Sequence, residues 1–179
     1  NNLKDGLVRT TKYTAQEFGF DVVIVGDSSR IEIELSKFKS VPKGISIQHA
    51  SEVIGMAEPA ATTVRKKKDS SISVAVSLVK DKKVDAIVSA GNTGAVVCAA
   101  TLNLGLLEAV ERPGIPILFP TLKGTTMLID VGANIAPKPI HLLQYGIMSD
   151  AYSQYILGKS NPSVGLLSVG EEETKGTEF

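Results

Sequence analysis

The sequence predicts an α/β fold, a mostly parallel sheet sandwiched by helices with one antiparallel hairpin. Short apolar, partly β-branched runs alternate with longer stretches of helical spacing, the order that builds parallel sheets. Several runs also end in Gly beside Asn, Asp or Glu, the turn chemistry of a strand feeding a helix. One pair of runs instead flanks a Lys-Gly step, as the arms of a hairpin do.

Leu3, Leu7, Val8, Thr11, Ala15 and Phe18 recur at helical spacing, which predicts an opening amphipathic helix closed near Gly19. Asp21 to Gly26 reads as a buried strand entering a turn at Gly26-Asp27-Ser28-Ser29. Ile31 to Phe38 reads as a short helix, although Ile-Glu-Ile-Glu also fits an alternating strand. A short strand is expected over Gly44 to Gln48. From Ser51 to Lys83 the pattern is helical, broken at Pro59, a residue best tolerated in a first turn. Arg65-Lys66-Lys67-Lys68 ends the first helix there, and Asp69-Ser70-Ser71 caps the next, whose apolar face is Ile72, Val76 and Val79.

The centre of the chain is strand, tight turn, helix: Val84 to Val88, then Ser89-Ala90-Gly91-Asn92-Thr93-Gly94-Ala95, then an Ala-rich stretch from Val96 to Leu107. Beyond the rigid connector Arg112 to Pro116, Ile117 to Phe119 and Met127 to Val131 flank Lys123-Gly124 and are expected to pair antiparallel. Pro116 and Pro120 place the first of these near an edge. The second runs into Gly132-Ala133-Asn134. Pro137 and Pro139 precede a long helix, about Ile140 to Leu157, with Leu142, Leu143, Ile147, Tyr152 and Ile156 as core contacts. Val164 to Gly170 is a further buried strand, followed by an acidic stretch ending in Lys175-Gly176. Ligands of parallel sheets bind at the carboxyl ends of the strands. The turns Ser89 to Gly94, Asp130 to Asn134 and Gly170 to Lys175 are therefore expected to gather on one edge.

Composition narrows the function class. With 179 residues, 43% hydrophobic and 21% charged, the chain is an ordinary globular one with enough length for a sizeable core. Lys and Arg (19) balance Asp and Glu (19), so no global field favours nucleic acid or an anionic membrane, and any anion binding is local. The single cysteine, Cys98, excludes an intramolecular disulfide and a cysteine-based metal cluster, and in its apolar setting reads as a buried structural thiol. No apolar run approaches the ~20 residues that cross a bilayer, and the first residues are no signal peptide. A cytoplasmic location is expected. The chain starts without Met and stops where a helix should begin after a strand, so a piece of a longer polypeptide is expected.

The Gly-rich central turn is where chemistry is expected. The first backbone N–H groups of a helix have no partner within it, and the helix dipole adds partial positive charge, so an anion is stabilised there. Gly91 and Gly94 let backbone approach a ligand, and Asn92 and Thr93 supply side-chain donors. The natural guest is phosphate. The four cations Arg65 to Lys68 are either a solvated cluster at a helix end or a source of one or two anion ligands. Asp130 could hold a cation, orient a neighbour or cap its turn. His141 could donate a proton in a pocket or cap and pack its helix, and Lys175 could face an anion. Dinucleotide-binding, nucleoside-triphosphate and serine-hydrolase signatures are absent. A site with phosphate-holding turns and no protein nucleophile suggests that phosphate itself reacts.

Four stretches together resemble the bacterial PlsX family of acyl-carrier-protein:phosphate acyltransferases: Arg65 to Ser71; Val84 to Ala95; Ile129 to Asn134 with His141-Leu142; and Asn161 to Glu172 with Lys175-Gly176. The resemblance covers about residues 45 to 178 in the family's order. It implies a three-layer fold like isocitrate dehydrogenase and phosphate acetyltransferase, one α/β domain over 1–179, and a chain forming the N-terminal half or more of a longer enzyme. It implies transfer of a long acyl chain from an acyl-carrier-protein thioester to inorganic phosphate, giving acyl phosphate for phospholipid synthesis. Acyl carrier protein, inorganic phosphate, a homodimer and peripheral membrane association follow as expected partners, without nucleic acid, a cofactor or metal ligands. Asn92, Thr93, Asn134 and His141 are the catalytic candidates. Ser89, Gly91, Gly94, Lys67, Lys68, Ser70, Asp130, Gly132 and Lys175 are the substrate-binding candidates. The alternatives are a short-chain enzyme using a coenzyme A thioester, or a non-catalytic module that binds acyl carrier protein or phosphate.

Overall fold

The computed structural model describes residues 10–11, 13–41, 43–168 and 170. Its architecture is mixed α/β: a parallel pair of strands, an antiparallel pair and, among the described residues, six helices. The chain divides into two compact units, Asn1–Gly105 and Leu106–Phe179.

In the first unit, residues 10–11 and 13–18 are helical (α1), closing at Gly19, whose φ of +66° suits a residue without Cβ. Leu3, Leu7 and Val8 lie outside the described residues. Strand β1 (Val22–Gly26) pairs in parallel with β2 (Ile45–His49), Val22 opposite Ile45 and Gly26 opposite His49. Between them α2 spans Ser28–Ser36. The Asp27 carboxylate accepts from the Arg30 N–H at 3.2 Å, so the helix starts earlier than the Ile31 expected. Ile31 and Leu35, four apart, are buried against Ile24, which decides the Ile-Glu-Ile-Glu ambiguity for helix.

Residues 51–59 are not helical, contrary to expectation. The Asp69 carboxylate takes the Ser51 N–H (2.8 Å) and hydroxyl (2.6 Å), and Glu52 bridges in parallel to Ser70, so local side-chain bonds replace the helical ladder. Pro59 then opens α3 (Ala60–Lys66), and Ser70 caps α4 (Ser71–Lys80) by accepting from the Ser73 N–H, both as expected. Ile72 and Val76 are buried, joined by Leu78, while Val79 is half-buried. Helix α5 (Thr93–Leu104) ends before Gly105 rather than at Leu107, and Gly105 has a φ of +82°. A core of Ile54, Val64, Ile72, Val76, Ala95 and Ala99 packs the start of α5 on α3 and α4. Val84 to Val88 forms no strand: it has no ladder partner among the described residues, and Val88 is exposed.

In the second unit, β3 (Ile117–Thr121) pairs antiparallel with β4 (Gly124–Leu128). Gly124, at a φ of +120°, faces Thr121 across a tight turn, so β4 begins there and stops before the predicted Val131. Helix α6 spans Pro139–Tyr155. Its buried residues are His141, Tyr145 and Ser153, set four or eight apart. Of the predicted contacts Leu142 is half-buried, while Leu143, Ile147, Tyr152 and Ile156 are exposed; Leu143 and Ile147 lie on the face opposite His141 and Tyr145. Val164 to Ser168 is unpaired among the described residues. None of the three turns follows a parallel ladder among the described residues. Two of the turns follow unpaired runs, the other follows a hairpin strand, and residues 171–175 lie outside the described ones.

Candidate functional site

Asn92 sets the geometry of the central turn. Its Oδ1 accepts from the Ala95 N–H at 3.0 Å, capping α5. Its Nδ2 faces three carbonyls, those of Gly55 (3.1 Å), Met56 (3.2 Å) and Glu58 (3.1 Å). An amide has two protons, so the group is fully committed to protein. Expected to touch a ligand, the Asn92 side chain, 8% exposed, instead braces the turn against the loop of residues 53–58.

The backbone is left open. Helix geometry gives the Thr93 and Gly94 N–H groups no intrahelical acceptor, and among the described residues they have no other partner. Thr93 itself is exposed. The Gly91 N–H donates to Ser89 Oγ at 3.2 Å, which folds the approach to the helix. Gly94 serves packing: a Cβ there would lie 3.2 Å from the Ala60 Cβ, so its absence lets α5 start close to α3, whereas a Cβ on Gly91 would meet the Ser89 hydroxyl of the turn itself at 3.3 Å.

The cation cluster divides. Lys67 Nζ donates to the Val53 carbonyl (2.7 Å) and Glu58 Oε1 (2.8 Å), and Glu58 Oε1 also takes the Gly55 N–H (2.9 Å). The Lys67 contact, followed by the Gly55 N–H, holds the Glu58 carboxyl below its usual range. Lys68 is exposed, with no side-chain partner among the described residues. Ser70 is fully buried, its hydroxyl spent on Ser73.

The second turn is built the other way round. Asp130 Oδ1 accepts from the N–H groups of Ile115 (2.8 Å) and Ala133 (3.1 Å), and Oδ2 from that of Asn134 (2.7 Å). Burial pushes this carboxyl up, but the Ile115, Asn134 and Ala133 N–H groups outweigh it and hold the carboxyl below its ordinary range. Of the readings open to Asp130, turn capping is the one its contacts express. Gly132, at a φ of +117° with open space where a Cβ would stand, is needed for backbone conformation. Asn134 Nδ2 donates to the Pro113 carbonyl and to Tyr145 Oη, each at 2.7 Å. His141, 2% exposed, accepts from the Lys138 N–H at Nδ1 (3.0 Å), and its Nε2 lies 3.1 Å from Glu111 Oε2. It caps and packs α6. Lys175 lies outside the described residues.

Glu58, Glu111 and Tyr145 carry these contacts and were not singled out as site residues. Their partners are 9 to 30 positions away in sequence, beyond any spacing rule. Among the described residues no three His, Cys, Asp or Glu side chains gather to hold a metal ion. Nor is any described helix long and apolar enough to cross a membrane.

A profile described as "Fatty acid synthesis protein" matches residues 5–179. A protein named "Phosphate acyltransferase" from Geotalea uraniireducens (strain Rf4) is 49% identical over 165 residues, 92% of this chain and 48% of that protein. One of the same name from Geobacter sulfurreducens is 48% identical over 165 residues, again 92% of this chain and 48% of the relative. Another, from Desulfitobacterium hafniense (strain DSM 10664 / DCB-2), is 47% identical over 173 residues, 97% of this chain and 52% of the relative. The chain spans about half the length of these curated relatives.

Proposed function

The chain belongs to the fatty acid synthesis protein family, and from that premise we propose that the full-length protein is a phosphate acyltransferase. In this reading a long acyl chain passes from the thioester of acyl carrier protein to inorganic phosphate. The observation that carries the reading is the start of α5, where the Thr93 and Gly94 N–H groups stand open at the positive end of a twelve-residue helix.

A phosphate oxygen attacks the thioester carbonyl, the C–O bond forms, the C–S bond breaks, and the thiolate leaves and takes up a proton. No acyl-enzyme is needed, so the protein's task is to hold phosphate in line and stabilise charge. Open backbone donors do this without moving. Asn92 contributes by fixing them, since its own polar atoms are engaged. Asn134 and His141 enter the reading as residues that shape the second turn and the start of α6. Lys68 and Lys175 are the candidate charge-balancing cations. A homodimer with peripheral membrane contact belongs to the same reading.

The test is phosphate-dependent loss of a long-chain acyl-carrier-protein thioester by the full-length protein, with acyl phosphate trapped as a hydroxamate. Loss only with phosphate present, with hydroxamate formed, supports the reading. Turnover with coenzyme A thioesters alone would move the donor to that class. No turnover with either donor would overturn it.

A further inference from the structure

We propose that Lys67 is a positioning residue for the phosphate turn, acting through Glu58 and the loop of residues 53–58 to keep Asn92 in place. The proposal rests on the reading of that turn given above. Lys67 sits where α3 ends and α4 begins, and its backbone is fixed there. Its N–H donates to the Thr63 carbonyl (2.8 Å), and its carbonyl accepts from the Ser73 hydroxyl (3.1 Å) and the Ser70 N–H (3.3 Å). From this anchored point the side chain reaches back as a strut, to Val53 at one end of the loop and Glu58 at the other.

The loop is otherwise held by the Glu58 N–H, which donates to the Gly55 carbonyl (3.2 Å), and by the Asn92 amide. Ile54 is buried, but Val53 is 66% and Met56 71% exposed, and no strand ladder runs through residues 53–58. A segment with so few apolar contacts opens at low free energy unless polar contacts tie it. Yet this loop supplies all three carbonyls that hold Asn92 Nδ2. If the loop opens, Asn92 loses those acceptors, its side chain is free to turn, and Oδ1 no longer caps Ala95. The contacts run in series from Lys67 to the α5 N-terminus. A lysine read from sequence as an anion ligand therefore acts on phosphate at second hand.

Two single variants and their combination test this in the full-length enzyme. Lys67→Met and Glu58→Ala should each raise KM for phosphate about tenfold, the scale of one lost charge-assisted hydrogen bond. The double variant should be worse than either but by less than the product of the two effects, because the Lys67–Glu58 contact is shared while the Val53 and Gly55 contacts are separate. Lys67→Arg, which can still reach both acceptors, should restore most of the loss. Were Lys67 instead a direct phosphate ligand, Glu58→Ala would leave KM unchanged or lower it, and that result overturns the proposal. Amide exchange gives a readout independent of turnover: Lys67→Met should speed exchange at both Gly55 and Ala95. Unchanged exchange at Gly55, or faster exchange there with Ala95 unmoved, also overturns it. Were the wild-type enzyme inactive, the acyltransferase reading would fall while exchange still decided the strut.

Discussion

The turn at Ser89 to Gly94 and the turn at Asp130 to Asn134 look alike in sequence, each with Gly and Asn after an apolar run, and differ in what their backbone N–H groups face. In the second, the chain's own carboxylate fills the turn, taking three N–H groups at 2.7 to 3.1 Å. In the first, the side chain that could do this, Asn92, takes only the Ala95 N–H and turns its amide toward a loop, leaving Thr93 and Gly94 open. An Asp at the head of a turn supplies a resident anion, whereas an Asn at a helix N-cap leaves room for a visiting one. The same Gly/Asn signature thus yields one turn that is internally neutralised and one whose helix-start N–H groups stay open, where the proposed phosphate would sit.

Removing each keystone breaks the comparison most severely. Asn92→Ala takes away a helix cap and the donor to three carbonyls in a largely buried site, and should cost ~2–4 kcal/mol in denaturant unfolding. Turnover of the full-length enzyme should fall about a hundredfold or more. Asn92→Ser keeps a capping oxygen but no loop donor, so it should recover about half the stability and little of the turnover. If Ser restored turnover fully, the loop contact would be irrelevant to the site.

The resident-anion idea can be tested by emptying the second turn. Asp130→Ala leaves the Ile115, Ala133 and Asn134 N–H groups without their acceptor and should destabilise by ~2–3 kcal/mol. Added inorganic phosphate or sulfate should then raise the melting temperature of this variant more than that of the wild type, because the vacated turn has become an anion site. Equal shifts in both proteins would mean that the two turns differ by more than the carboxylate.

The local half of this arrangement was legible in the sequence. The Ser70 cap, the Pro59 start of α3 and the Gly19 stop depend on residues within four positions of one another, where composition speaks directly, whereas Asp27 reads as a turn residue and Asn92 as a ligand donor although both cap helices. What stayed hidden was long-range. Asn92 meets Gly55 across 37 positions and Lys67 meets Val53 across 14, and nothing in periodicity reports such pairs. The buried face of α6 was misassigned for a related reason: the helix is apolar on several sides, and His141 and Tyr145 are buried through polar partners, Glu111 and Asn134, that hydrophobic spacing cannot weigh.

A glycine in each turn refines the comparison at smaller cost. At Gly94 a Cβ would press on the Ala60 Cβ at 3.2 Å, so Gly94→Ala should cost ~1–2 kcal/mol. Ala60→Gly should return part of it, since the conflict is steric. At Gly132 there is open space but a φ of +117°, so Gly132→Ala should cost about 1 kcal/mol, with no neighbouring substitution able to relieve it. A double-mutant cycle separates the two: coupling for Gly94 with Ala60, and none for Gly132 with any side chain nearby.

The smallest expected effect is on acid stability. The folded Asp130 carboxyl titrates below its ordinary value of 3.8, so the native state holds the proton less readily than the unfolded chain does. The sign follows: its contribution is complete above pH 3.8 and is lost as pH falls through the lower, folded value. In Asp130→Asn that part of the acid dependence should vanish, because the amide carries no titrating proton, although its single oxygen can replace only one of the two acceptor oxygens. Wild type and variant should therefore converge in denaturation midpoint as pH is lowered from 5 toward 3. Parallel curves over that range would show that the three N–H contacts bind the carboxyl and the carboxylate equally well, and the second turn would then hold its N–H groups by geometry alone rather than by charge.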